Sequence, residues 1–146
     1  MQGVKTVRFL AAAAALLLCA AAAAADVVSV RAKGSFGEVK ENLLLAIQAG
    51  GFKIDYTAHI GSMLERTRKD VGATKRVYGS AEGFQFCSAV VSRKMMERDA
   101  SNIGYCPYVI ALYTLPEDPK TVYIVYRKGL PEVDALLAGI VKEALQ

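Results

Sequence analysis

Two runs near the C-terminus constrain the fold more than any other feature. Tyr105 to Leu115 and Thr121 to Arg127 are rich in Tyr, Val and Ile, the aromatic and β-branched residues that suit a pleated surface. Pro116-Glu117-Asp118-Pro119 between them is turn chemistry, so the runs predict an antiparallel hairpin. Both runs are apolar at odd and even positions alike. A strand with one face in water alternates, and these do not, so both faces need cover. The expectation is helices on one side, and a loop or a second subunit on the other.

The rest of the chain supplies the helices. Val27 to Ala32 reads as a short strand. Ser35-Phe36-Gly37-Glu38 is a capping box, in which hydroxyl and carboxylate satisfy each other's free backbone N–H groups. The helix after it puts Phe36, Val39, Leu43, Leu44 and Ile47 on one face, and Gly50-Gly51 stops it. Phe52, Ile54, Tyr56 and Ala58 alternate with polar residues, as a half-buried strand does. Ser62-Met63-Leu64-Glu65 is a second capping box, predicting a helix to Asp70 with Met63, Leu64, Thr67 and Val71 inward. Lys75 to Tyr78 reads as a strand edge, Gly79 to Gly83 as a loop, and Phe84 to Cys87 as strand or turn. Ser88 caps a helix to Arg98, and Asp99 to Asn102 is a polar break. Pro131 opens the last helix, whose inward stripe is Val133, Leu136, Leu137, Ile140 and Leu145. The order β-α-β-α-β-α-β-β-α implies a two-layer α+β sandwich, with helices on a mixed or antiparallel sheet of about four to five strands.

The N-terminus reads as an address. Lys5 and Arg8 precede the apolar run Phe9 to Cys19, and eleven of the fifteen residues from Ala11 to Ala25 are alanine. With Ala23-Ala24-Ala25 as a small-x-small site, residues 1–25 have the parts of a secretory signal peptide in order. A lipobox would need Gly, Ala or Ser before Cys19, where Leu18 stands. Residues 26–146 are then a single periplasmic or secreted domain that meets a membrane only through the transient leader. Without Lys5 and Arg8 the net charge falls from +4 to +2, so the basic composition does not argue for a nucleic-acid partner. Charged residues are 22% of the chain, an ordinary globular share that argues against disorder.

Removing the leader leaves two cysteines, Cys87 and Cys106. In an oxidising compartment an even pair predicts a disulfide, here closing a loop of about 20 residues and contributing roughly 3 kcal/mol. A redox or sulfur-handling pair is the competing reading, since Cys87 stands at a helix start that favours thiolate. No catalytic set is legible. His59 is the only histidine and has no nucleophile motif near it. His59, Cys87 and Cys106 match no zinc spacing, and haem, P-loop and dinucleotide motifs are missing. Met95-Met96 offers thioethers, but adjacent helical residues diverge by about 100°, which suits packing better than copper. The reading is therefore non-enzymatic, with no cofactor and no metal.

Two clusters remain as binding candidates. Arg66, Arg68, Lys69, Lys75 and Arg76 form a basic patch, diluted by Glu65 and Asp70, that could hold an anion. Tyr105, Tyr108, Tyr113, Tyr123 and Tyr126 crowd the hairpin. Tyr105 and Tyr113 share one face of their strand and Tyr108 takes the other. They are core residues, or they line a ligand pocket or a dimer contact.

The region from Ser29 to Gln146 resembles the DUF302 family of small α+β domains. The resemblance rests on an N-terminal strand followed by Ser35-Phe36, on Gly50-Gly51-Phe52, and on Tyr78-Gly79. It rests further on Cys106-Pro107-Tyr108-Val109-Ile110-Ala111-Leu112-Tyr113 and on Val122-Tyr123-Ile124-Val125-Tyr126-Arg127. It implies one sheet packed by helices and a tendency to dimerise, and brings no settled activity. The expected function is a small exported binding or accessory domain for a small molecule or a protein. The alternative is a periplasmic thiol redox or sulfur-carrier protein using Cys87 and Cys106.

Overall fold

The computed structural model describes residues 26–146; the expected leader and Cys19 lie outside them. The elements follow the expected order: β1 (Val27–Lys33), α1 (Phe36–Ala49), β2 (Ile54–Ala58), α2 (Ile60–Thr67), β3 (Ser80–Phe86), α3 (Ala89–Arg98), a 3-10 helix (Ala100–Tyr105), β4 (Tyr108–Leu115), β5 (Asp118–Arg127) and α4 (Pro131–Ala144). The five strands form one sheet in the order β1-β5-β4-β3-β2. Every neighbouring pair is antiparallel, which resolves the mixed-or-antiparallel alternative.

One face of the sheet carries the core. Phe84 and Phe86 of β3, Ile110 and Leu112 of β4, and Val122 and Ile124 of β5 are buried there. Val39, Leu43 and Ile47 of α1 and Val133, Leu137 and Ile140 of α4 close over them. Burying each such side chain stabilises the fold by about 1.5–3 kcal/mol before entropy is counted. The Ser35 capping box forms: Glu38 N–H donates to Ser35 Oγ at 3.3 Å, and Ser35 N–H donates to Glu38 Oε2 at 2.8 Å. The Ser35 hydroxyl, which donates to Glu38 Oε2 at 2.7 Å, and then the Ser35 N–H hold the Glu38 carboxyl below its ordinary value. Gly51 takes φ +81°, the left-handed turn that ends α1.

Several local expectations change. Helix α2 starts at Ile60, not at the Ser62 capping box, and its N-cap His59 makes no side-chain cap bond. None of its residues is buried, and Met63 and Val71 are exposed rather than inward. Their spacing is helical, but the helix lies across the sheet's second face and approaches it through Gly61. A Cβ on Gly61 would stand 2.9 Å from Ala81 N. Lys75 to Tyr78 is not a strand, and the strand instead runs through Ser80–Phe86. Glycine signalled a loop there because it is required by close approach. A Cβ on Gly79 would lie 2.6 Å from Thr114 Oγ1. Strand β4 begins at Tyr108, because residues 100–105 wind into a 3-10 turn capped by Asp99, which accepts from Ser101 N–H at 2.8 Å. Leu145 follows α4 and is exposed, so it leaves the inward stripe.

The second face of the sheet is only partly covered. The segment from Ile60 to Tyr78 crosses one end of it. There the Tyr78 ring tilts against Tyr113 with centroids 5.2 Å apart, and Tyr113 stacks on Tyr123 at 4.8 Å. Beyond that end, Val27 and Val109 remain 49% and 40% exposed.

Candidate functional site

Strand β2 ends early, and its shortness makes a cleft. Its last partner is Ala58 opposite Gly83, so Ser80 to Glu82 of β3 has no β2 partner. The first turns of α1 flank this free edge on one side, α2 flanks it on the other, and Arg76 to Gly79 closes the end. The cavity measures about 680 Å³.

Glu82 sits at its base. The side chain occupies the inward register shared with Phe84 and Phe86, and is 19% exposed. Lys40 of α1 reaches Oε2 at 2.6 Å, and His59 Nδ1 lies 3.6 Å from Oε1. Oε2 is buried and meets Lys40 as an ion pair without a directed hydrogen bond. A carboxylate so placed needs its cation, because the unpaired charge is costly to bury.

The basic patch divides. Arg66 and Arg76 line the cleft. Arg76 donates through Nε to Tyr78 O and through Nη2 to Gly79 O, both at 3.0 Å, which fixes its guanidinium at the cleft's end. Arg68 turns to Glu65 at 3.1 Å and to Thr74 O at 3.0 Å, so its charge is neutralised locally. Lys69 is exposed outside the cleft, and Lys75 lines an apolar trough on the second face of the sheet. Among the described residues, Arg66 has no ion-pair partner.

The tyrosines divide too. Tyr108 and Tyr126 are buried on the helix-covered face, where burial, and then the Asp134 carboxylate, push the Tyr126 phenol above its ordinary pKa. Tyr113 and Tyr123 stack on the second face, under Arg31, whose guanidinium lies 5.6 Å from the Tyr123 ring. Tyr105 ends the 3-10 helix and lines a separate groove with Pro107 and Val109. Met95 is fully buried in the core, with Met96 packed beside it.

Cys87 and Cys106 are bonded, with Cα atoms 6.3 Å apart. The β3–β4 ladder puts them there, since its last pair is Phe86 opposite Tyr108. The sulfurs are half-buried, and Ser92 Oγ, 2.9 Å from Tyr108 OH, lies 3.8 Å from Cys106 Sγ. His59 is drawn to Glu82, so the three zinc candidates do not assemble. Among the described residues, no three His, Cys, Asp or Glu side chains converge as metal ligands.

Lys40, Glu82, Tyr78 and Gly61 were not legible as site residues. One signal was present: an acid at the inward register of a strand otherwise bearing Phe84 and Phe86. Its partner Lys40 lies on a different element, and spacing alone cannot join them.

Neither a family model nor a curated protein matches the chain. A solved structure does, the crystal structure of an uncharacterised conserved DUF302 protein from Bacillus stearothermophilus. It superposes with a TM-score of 0.59 at 14% identity, covering 83% of this chain and 88% of that one. Likeness at that identity establishes the architecture, and the chain carries a DUF302-like fold.

Proposed function

We propose that this chain is a small exported binding domain, without catalysis of its own, that holds a small anion in the cleft between α1 and α2. The carrying observation is the charge arrangement there. Two carboxylates line the cleft, Glu82 matched by Lys40 within it and Glu65 matched by Arg68 from outside it. Arg66 and Arg76 remain as excess positive charge around about 680 Å³ of open space. A carboxylate or phosphate answers that pattern, and guanidinium groups bind both in two-pronged fashion. Export is supported by the order of features in residues 1–25 and by the even cysteine pair, read as a structural staple.

Calorimetric titration with succinate and inorganic phosphate tests the reading. One-to-one binding that Arg66→Gln weakens at least about fivefold supports it, a loss of the size expected for a charge-assisted bond. Binding of neither anion, or binding indifferent to Arg66→Gln, contradicts it. The thiol redox reading is tested separately, by equilibrating the disulfide against a reductant near −270 mV, the thioredoxin range. A bond that stays closed there is structural, and one that opens readily is a working couple.

A further inference from the structure

The polar cleft shares a wall with an apolar trough. Tyr78 and Ala81 line both cavities. The trough holds about 520 Å³ between the Ile60–Tyr78 segment and the second face of the sheet. Ile60 and Val77 line it from the segment, and Ala111, Tyr113 and Val125 line it from the sheet. Val77, on the segment, is 48% exposed. Contiguous apolar surface of this kind marks a binding region. Its one charged lining residue among those described is Lys75, which is basic like the excess charge of the cleft. Arg76 stands beside it on the chain, pinned by the carbonyls of Tyr78 and Gly79 where cleft and trough meet. The cleft is therefore cationic, and the trough across that wall is apolar but for Lys75 and lined by aromatic rings.

We propose that the cleft and the adjoining trough together take a single-chain amphiphilic anion, its carboxylate in the cleft near Arg66 and Arg76 and its acyl chain in the trough beside Tyr78 and Tyr113. This rests on the reading of the cleft as an anion seat and adds the chemistry of the ligand's other half. Cleft and trough, at about 680 and 520 Å³, each fall within the roughly 300–1,000 Å³ of pockets that enclose small ligands. Charge complementarity selects this occupant: Arg66 and Arg76 of the cleft and Lys75 of the trough are cations that form no ion pair among the described residues.

Titration of the oxidised protein with butyrate, octanoate and laurate, each below its micelle concentration, tests the idea. Tyrosine emission offers a second readout near the trough, because the chain contains no tryptophan. Laurate is expected to bind one-to-one, and at least tenfold more tightly than octanoate, within the ceiling of about fourfold per buried methylene. Arg66→Gln should weaken laurate at least fivefold. Val77→Asp, on the exposed segment, should weaken laurate and leave butyrate unchanged. If butyrate binds as tightly as laurate, the anion seat stands and the amphiphile is overturned. If laurate binds tightly and Arg66→Gln changes nothing, the head is elsewhere and both readings fall. If no carboxylate binds and sedimentation shows a stable dimer, a second copy covers the trough and the proposal is wrong.

Discussion

Two excursions leave the sheet around β3, and they are secured in opposite ways. The one after β3, from Ser88 through α3 and the 3-10 helix, is tied at its base by Cys87–Cys106 and anchored by fully buried Met95. Ser92 bonds Tyr108, Asn102 bonds the Met95 carbonyl at 2.8 Å, and Arg98 reaches Glu132 of α4 at 2.6 Å. The one before β3, from Ile60 to Gly79, has no buried residue and no covalent tie. Its own arginines hold its turns by bonding its own carbonyls. The difference shows where this fold concentrates its local stability. The tied excursion completes the core, while the untied one lies over the apolar face that α1 and α4 leave open. Segments with few buried contacts open locally at low cost, as binding elements must.

The largest expected effect falls on the tied side. Met95→Ala should cost about 2–5 kcal/mol in urea unfolding, because it empties a fully buried site. Leu64→Ala on α2, whose residues are nowhere buried, should cost under about 1 kcal/mol. Equal costs would erase the contrast.

Next comes the staple. Replacing both Cys87 and Cys106 by Ala should cost about 2–4 kcal/mol and retain the fold, since the β3–β4 ladder still closes the same loop. Circular dichroism should be unchanged, with the unfolding midpoint lowered. Loss of native structure at room temperature would show that the ladder cannot hold the excursion alone.

These contrasts were unevenly legible in the sequence. The hairpin, the Ser35 and Ser88 caps, Pro131 at the last helix and the cysteine pair are local signals, with each residue's job decided by its near neighbours. The pattern alone also asked for cover on both hairpin faces, which the second face receives only in part. What could not be read was long-range. Gly79 looks like a loop residue until Thr114 is seen pressing on it, and Gly83 until β3 is seen to pair with β2 and β4 on either side. The spacing of Met63 and Val71 mimics an inward face, but only the tertiary structure shows that little lies beneath it. Lys40 and Glu82 are 42 positions apart and meet only because α1 crosses the free end of β3.

A smaller effect separates the excursions by pH. Asp99, which caps the 3-10 helix, is held below its ordinary pKa by the Ser101 hydroxyl and then the Ser101 N–H. Glu132 is lowered by its own backbone N–H and then by Arg98. A depressed carboxyl contributes stability that is present above its unfolded value, about 4, and lost as pH falls through its lower native value. The hydrogen-exchange protection factors of residues 99–105, with the intrinsic rate at each pH divided out, should therefore fall on acidification from about pH 5 to 3. Asp99→Asn should flatten that response, and an unchanged pH profile in the variant would show that the cap does not set it.

Hydrogen exchange of the oxidised protein with and without laurate tests the central assignment most directly. Without ligand, amides of residues 60–78 should exchange much faster than those of residues 89–98. With laurate, protection should rise in residues 60–78 and along β4 at Ala111 and Tyr113, leaving residues 89–98 as they were. Protection gained only around Cys87 and Cys106, or none gained between residues 60 and 78, would contradict the account.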